Sequence, residues 1–388
     1  MAMPPETSRP RVALLIETSN RYGRDLLHGV HDWLRTAGKW SIRLTEQARG
    51  APPPAWLRDW RGDGVIARVD TAPIAAALRR TGAAVVDVSA ERTTSEFRRV
   101  SIDNRAVARL AAAHFREKRL RHFAYCGDQR HLWSKQRGEA FARTLRSAGL
   151  PCAEFSPRRA AGRTWDLELE AIAGWLGRLP KPVGVFACYD TRAQQVIEAC
   201  HHAGLNVPDE VAVLGVDDDE MICELCDPPL SSILPNARRT GYEAAAILSG
   251  LMSGRIKSAV RSREIAPVRV VERRSTAALA IGDRHVEAAL RHIREHACDG
   301  INMKDILQAV PVSRTLLELK FRQLVGDTPH RLIKRHQLER VRQLLVESSL
   351  AVAQIADLTG FESPAYLSAT FRRETGESPR QFRLRHRT

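Results

Sequence analysis

The segments MKDILQAVPVSRTLLELKFRQLVG (303–326) and AVAQIADLTGFESPAYLSATFRRETG (351–376) decide how the C-terminal quarter of the chain folds. Each reads as a short apolar-periodic helix, a turn, and a second helix opened by a serine, which is the order of a helix-turn-helix. In the first, Ile306 and Leu307 point one way, and Leu317, Phe321 and Leu324 recur at helical spacing. In the second, Val352, Ile355 and Ala356 precede Gly360, and Leu367 and Phe371 continue after it. Gly360 suits a turn position with positive φ. Ser313 and Ser363 stand where N-caps belong, and Pro364 fits a first helical position. Between the units, TPHRLIKRHQLERVRQLLVES (328–348) opens with Thr328-Pro329 and carries Leu332, Ile333, Val341, Leu344 and Leu345 as a stripe. It predicts one long helix that fixes the separation of the two units. A small helical bundle with no nucleic-acid role would share any one such pattern. Two units with the same internal order imply double-stranded DNA, because the second helix of each exists to enter a major groove.

Charge agrees without deciding. Of 388 residues, 60 are Lys or Arg and 45 are Asp or Glu, an excess that suits a polyanion but also an ordinary solvated surface. From residue 284 onward there are 18 basic and 12 acidic residues, a denser excess than in the rest of the chain. The N-terminus, MAMPPETSRPRVALLIET, has an apolar run too short for a signal core or a membrane span, so a cytoplasmic, nucleoid-associated protein is expected. Seven scattered cysteines fit a reducing compartment. Cys223 and Cys226 form a lone CxxC with no second pair at zinc spacing, and His201 and His202 read as a helix face. No metal and no cofactor is expected. A catalytic role is not expected either: Gly62 and Gly64 precede a strand rather than follow one, as a phosphate-binding loop would, and no nucleophile–base arrangement stands out.

From Val12 the chain alternates apolar runs with amphipathic helices. VALLIET, WSIRLT, GVIARV, AAVVDVS, HFAYC, PVGVFACYD and VAVLGVDDD read as strands. RDLLHGVHDWLRTAG, RAVARLAAAHFREKR, KQRGEAFARTLRSAG, RAQQVIEACHHAG and RRTGYEAAAILSGLMSG read as helices. Such alternation predicts an α/β unit of parallel sheets with helices on both faces, and some 260 residues of it suit two lobes. A ligand in such folds sits beyond the carboxyl ends of the strands. Polar residues gather there: Glu17, Ser19 and Tyr22 after the first strand, Glu46 after the second, Asp103 and Asn104 after RRVSI, Asp190 after PVGVFACY, and Asp217, Asp218 and Asp219 after VAVLGV. Trp133 and Arg137 stand at a helix start. Carboxylate acceptors, a guanidinium donor and an aromatic face are what a sugar requires. Acids after strands also commonly cap the next helix, which is the competing reading for each of them.

Two resemblances extend this. The final IADLTGFESPAYLSATFRRETGESPRQFR matches the signature of AraC-type DNA-binding domains, over about residues 284–388. SIDNRAVARLAAAHF, RGEAF, CYDTRAQQV, VLGVDDDE and PVRVVERRST are similar to the effector domain of LacI-type regulators and to periplasmic sugar-binding proteins. That resemblance places Arg137, Asp190 and Asp217, and with them Ser19, Tyr22 and Glu46, on effector-contacting positions; Asp103 and Trp133 join them from the strand-end pattern. A sugar-sensor domain ahead of an AraC-type reader resembles the family of xylose-operon regulators, through LLHGV, DGVIA, the 133–141 segment and VERRST. The family implies D-xylose or a related pentose as effector, a homodimer formed through the sensor, activation of transcription, and contact with RNA polymerase. The expected division is a tail over 1–10, a sensor over 11–276, a linker over 277–283 and a DNA-binding domain over 284–388. The same architecture could sense another monosaccharide or repress; a transport-type sugar binder would need export.

On the first reading helix the face opposite Leu317 holds Arg314, Thr315, Glu318 and Arg322 behind the Ser313 cap. Arg314 suits guanine and Glu318 suits cytosine N4. On the second, Ser363, Ala365, Ser368 and Arg372 face away from Leu367. Leu319 and Ala369 stand where the family often carries a polar reader. Contact with thymine methyls is one account of them; mainly phosphate contacts from the second helix, through Arg372 and Arg373, is the other.

Overall fold

In a computed structural model, the apolar runs of the first 275 residues pair into two six-stranded sheets. The structure describes residues 9–48, 50–91, 96–155, 164–256, 262–277, 283–348 and 350–386. Most of the expected tail and linker, residues 1–8 and 278–282, lies outside the described residues.

The first sheet contains β1 (Arg11–Leu15), β2 (Ser41–Leu44), β3 (Gly64–Ala67), β4 (Ala84–Asp87), β5 (Arg98–Ile102) and β11 (Ser262–Ile265), in the order β11-β5-β4-β3-β1-β2 and all parallel. The second contains β6 (His122–Cys126), β7 (Cys152–Phe155), β8 (Val183–Ala187), β9 (Val211–Val216), β10 (Ser231–Leu234) and β12 (Arg269–Val271), in the order β12-β10-β9-β8-β6-β7, with only β12 antiparallel. Helices α1 (Arg21–Ala37), α2 (Ala72–Thr81) and α8 (Ala237–Met252) cover the first sheet; α3 (Asn104–Glu117), α4 (Leu132–Arg146), α5 (Trp165–Gly177), α6 (Asp190–His202) and the short α7 (Glu220–Leu225) belong to the second. The chain therefore passes between lobes three times, from β5 to α3, from β10 to α8, and from β11 to β12. Three strands of connection make a hinge about which two rigid lobes can close.

Alternation along β1 explains its burial on both sides. Val12, Leu14 and Ile16 pack with Leu26, Val30, Ala244 and Leu248 of α1 and α8, while Ala13 and Leu15 pack with Ala75 and Leu78 of α2. Helices α1 and α8 approach closely through Gly29 and Gly241. A Cβ at Gly241 would stand 2.0 Å from the Leu26 carbonyl oxygen, so only glycine permits this contact.

The parallel architecture was legible; its inventory was not. RRVSI, CAEF, SSIL and SREI, and the RVV of the PVRVVERRST fragment, are strands the sequence reading did not assign, and α2, α5 and α7 are helices it did not assign. These strands are three to five residues long and several are polar, so two-residue periodicity has too little length to register. Conversely WSIRLT yields β2, whose four residues are all exposed because it is the edge of the sheet.

The remaining unit is all-helical: α9 (Arg284–His296), α10 (Met303–Ala309), α11 (Arg314–Leu324), α12 (Pro329–Glu347), α13 (Val352–Leu358), α14 (Pro364–Thr375) and α15 (Pro379–His386). It has two cores. Val286, Ile293, Ile306, Leu317, Phe321, Leu332 and Ile333 form one, and Val341, Leu345, Ile355, Phe361, Leu367 and Phe371 form the other. Helix α12 contributes to both, as its sequence stripe predicts. Its buried Gln337 donates to the carbonyls of Ala297 (2.9 Å) and Gly360 (3.0 Å), tying the halves together. Gly360 has φ 67°, and a Cβ there would meet Gly300 N at 2.5 Å. Internal contacts divide the protein into these two compact units, with the boundary between residues 277 and 283.

Candidate effector cleft and nucleic-acid interface

The strand ends of both lobes meet across a cleft. From the first lobe, Glu17 is buried and pairs with Arg68, which stands 3.5 Å from Asp70 and holds its guanidinium 5.7 Å over the Tyr22 ring. Burial works against the Arg68 charge, but Asp70 and then Glu17 overcome it and raise its pKa further. Among the described residues, Asp70 Oδ1 and Arg68 Nε are buried with no hydrogen-bond partner.

The second lobe supplies Arg137, only 4% exposed, on α4. Its Nε and Nη2 donate to Asn104 Oδ1 at 3.1 and 2.9 Å, its Nη1 donates to the Cys188 carbonyl, and its guanidinium lies 5.1 Å from the Trp133 ring. Trp133 stacks on His131 at 5.1 Å and meets Tyr189 edge-on. Asp190 is buried at the start of α6; Oδ1 accepts from Ser232 Oγ at 2.5 Å and Oδ2 from the Asp219 amide at 2.7 Å. Burial first, and Asp217 next, push its carboxyl well above the usual range. Asp217 and Asp218 have φ of 112° and 48°, a strained turn that projects successive carboxylates at the mouth of β9.

The Tyr22 hydroxyl reports how these groups converge. Burial pushes it up to about 12, Arg68 and Arg137 oppose the rise, and Asp217 and Asp70 add to it, so groups of both lobes act on one phenol. The lobes are also bridged directly. The Arg21 amide donates to Asp219 Oδ2 (3.1 Å), its guanidinium pairs with Asp218, and Glu91 accepts from the Leu132 amide (2.9 Å).

Of the residues read from sequence, Tyr22, Trp133, Arg137, Asp190 and Asp217 are brought to this cleft. Asp103 takes the competing role: its Oδ1 accepts from the amides of Arg105 and Ala106 and caps α3, while the neighbouring Asn104 anchors Arg137. Asp190 likewise has both oxygens engaged by protein. Ser19 and Glu46 are exposed on loops after β1 and β2, and no contact ties them to the cleft group. Arg68, Asp70 and Arg21 were missed, and Asn104, noted at its strand end, was not carried into the site. Asp70 follows GVIARV, so the strand-end rule would have found it; Arg68 and Arg21 act through tertiary contacts. A separate polar recess at the first crossover, lined by Ser101, Arg105, Gln136, Glu139, Arg143 and Glu264, includes Asn104 but none of the sequence-derived effector candidates.

In the helical unit, Ser313 Oγ accepts from the Leu316 amide and Ser363 Oγ from the Tyr366 amide, so both caps are formed. Thr315 and Arg322 on α11, and Ala365 and Arg372 on α14, are exposed opposite the cores. Arg314 is turned to Glu318 by a 2.9 Å ion pair, which places both at the flank of that face rather than its centre. Ser368 is half-buried at the corresponding flank of α14. Two exposed positions of α11 are apolar: Leu319, between Thr315 and Arg322, is 50% exposed, and Leu316 at the other flank is 42% exposed. Ala369 and Arg373 occupy the equivalent face of α14. Among the described residues no helix is long and apolar enough to cross a membrane, and no metal-ligating cluster occurs.

A two-lobed ligand-binding unit joined to a double helix-turn-helix unit defines a sugar-responsive, DNA-binding transcription regulator. Residues 11–103 match the XylR N-terminal domain, 112–276 the periplasmic binding protein-like domain, and 306–385 a helix-turn-helix domain. The xylose operon regulatory protein of Escherichia coli K12 is 31% identical over 385 residues, 97% of each chain. That of Haemophilus influenzae is 28% identical, over 96% of this chain and 98% of its own. The solved xylose-binding transcription activator xylR is similar over 98% of this chain and 100% of its own, with 30% identity and a TM-score of 0.81. The chain belongs to the family of xylose operon regulatory proteins, which are regulators and not enzymes.

Proposed function

We propose that this protein is a D-xylose-responsive activator of pentose-utilisation genes, working as a homodimer in the cytoplasm and contacting RNA polymerase at the promoters it occupies. Sugar enters between the lobes, with Arg137 and Asp217 from one side and Tyr22, Arg68 and Asp70 from the other. Trp133 covers its C–H face, and Asp190 holds the Asp217–Asp219 turn in register rather than supplying a free carboxylate. Closure about the three-strand hinge then raises operator affinity. The observation that carries this reading is the meeting of charged groups from both lobes across the cleft, where Arg68 lies 5.7 Å over the Tyr22 ring and Arg21 reaches Asp218 of the other lobe at 3.1 Å, because a ligand held by both lobes binds the closed form preferentially. The pentose is supported by the names of relatives that match end to end. Groove contacts are assigned to Thr315, Leu316, Leu319 and Arg322 on α11 and to Ala365, Ala369 and Arg372 on α14. Arg314, Glu318 and Ser368 flank them, and the helix starts at Ser313 and Ser363 face phosphate.

A thermal-shift panel of pentoses and hexoses on the full chain tests the effector, since a ligand that binds only the folded form stabilises it by mass action. D-xylose is expected to give the largest shift. A larger shift with another sugar reassigns the effector, and no shift with any removes the sensing role.

A further inference from the structure

We propose that Arg273 is a positioning residue that couples the effector cleft to the point where the chain leaves the sensor toward the helical unit, acting through Asp218. This rests on the sugar-sensing role proposed above. Asp218 is 5% exposed and is shared. Its Oδ2 takes Arg21 Nη1 of the opposite lobe at 3.1 Å, and its Oδ1 takes Arg273 Nη1 at 2.7 Å. It lies in the strained turn beside Asp217, the carboxylate assigned to the ligand, so a shift of Asp217 on binding is carried one residue along a turn that has little freedom to absorb it.

Arg273 carries the movement onward. Its side chain is fixed at two further points, Glu224 Oε1 (2.7 Å) and the Leu230 carbonyl (3.2 Å). Its main chain is bound to Ser231 twice: the Arg273 amide donates to Ser231 Oγ (2.8 Å), and that hydroxyl donates to the Arg273 carbonyl (3.0 Å). The same Ser231 oxygen accepts from Thr276 Oγ1 (2.8 Å), whose oxygen faces His114 Nε2 at 2.9 Å. Ser275 Oγ donates to the Val213 carbonyl on β9 (2.6 Å) and accepts from the Ser231 amide (2.8 Å). Ser275 and Thr276 are fully buried at the C-terminal end of the sensor's second sheet. A continuous set of ion pairs and hydrogen bonds therefore links the cleft turn, the opposing lobe and the exit segment. The Thr276 hydroxyl hydrogen goes to Ser231 and the Ser231 hydrogen to the Arg273 carbonyl, so the His114 tautomer that completes the chain carries its proton on Nε2 and donates to Thr276.

The test compares wild type, Arg273→Gln, Asp218→Asn and, as a control on β12 just before Arg273, the exposed Arg269→Gln. Two quantities are measured for each full chain: D-xylose affinity by calorimetry, and the ratio of operator affinities with and without D-xylose. Allosteric ratios are commonly about 5- to 150-fold. R273Q is expected to bind D-xylose within about threefold of wild type, and to bind operator normally without sugar, while its ratio falls to within about twofold of unity; D218N, at the cleft itself, is expected to lose the ratio as well. R269Q is expected to keep the wild-type ratio, and Arg273→Lys to recover part of it. An R273Q that responds like wild type overturns the coupling. So does one whose sugar affinity and ratio fall in parallel, since Arg273 then only supports the pocket. If R273Q melts below the assay temperature, the operator ratio of D218N decides: a wild-type ratio overturns the coupling, and a ratio near unity supports it. If wild type itself binds no pentose, the effector reading and the coupling fall together; if wild type responds and both variants do too, only the coupling falls.

Discussion

Replacing Arg137 by methionine removes the guanidinium that the cleft is built around. Arginine has five N–H donors. Three are committed to protein, two to Asn104 Oδ1 and one to the Cys188 carbonyl, which leaves two for a ligand. Hydrogen bonds from a charged group contribute about 1.5–3 kcal/mol each, so losing two costs about 3–6 kcal/mol. At 1.4 kcal/mol per decade that is roughly 10²- to 10⁴-fold in D-xylose affinity. Water admitted beside the shorter side chain recovers part of this, and a loss of about 100-fold is expected. The methionine retains most of the stem against Trp133, so the fold should survive. Asn104 Oδ1 and the Cys188 carbonyl lose their donors, however, and the apoprotein should melt a few degrees lower. Calorimetry with D-xylose reads the first effect and differential scanning fluorimetry without sugar reads the second. A folded Arg137→Met that binds D-xylose within threefold of wild type refutes the assignment of Arg137 to the ligand.

Gly360→Ala should abolish operator binding and leave sugar affinity unchanged. The left-handed conformation costs about 1–2 kcal/mol with a Cβ, and the added carbon meets the Gly300 backbone at 2.5 Å, so the two helical cores must separate. Replacing Leu316 and Leu319 together by alanine should reduce discrimination at thymine positions by about 1 kcal/mol each, near fivefold, in a selection from randomised duplexes. Arg373→Ala should instead weaken all sequences alike and lower the salt slope by about one. The buried His114 has its folded pKa depressed from 6.5 to about 4. The stability it contributes is fully present above pH 6.5 and is lost as pH falls through 4, amounting to about 3 kcal/mol. Acid melting of wild type against His114→Gln measures that difference, and equal acid sensitivity contradicts it.

The helical unit was the more legible half because its signals are local. Caps, a left-handed glycine and apolar spacing all lie within one helix of the residue they explain, and Ser313, Ser363, Pro364 and Gly360 behave as the sequence implies. In the sensor, strand–helix alternation sufficed for the fold, and the strand-end rule pointed to Tyr22, Asp190 and Asp217, while Arg137 was read at a helix start and through the family resemblance. It also reached Asp103, which caps a helix, and Glu46, which ends an exposed edge. The same residue type at the same kind of position serves either purpose, and only packing separates them. Asn104, Arg21 and Arg273 matter through partners 33, 197 and 55 residues away, distances at which no periodicity operates.

The account stands most directly on one titration. The full chain is added to a labelled duplex recovered from a randomised pool, at near-physiological salt, with and without D-xylose. Sequence-specific binding that tightens several-fold with D-xylose, and does not respond to an enantiomeric pentose, is the predicted result. Binding that is identical with and without sugar, or that does not distinguish the selected duplex from scrambled DNA, contradicts it.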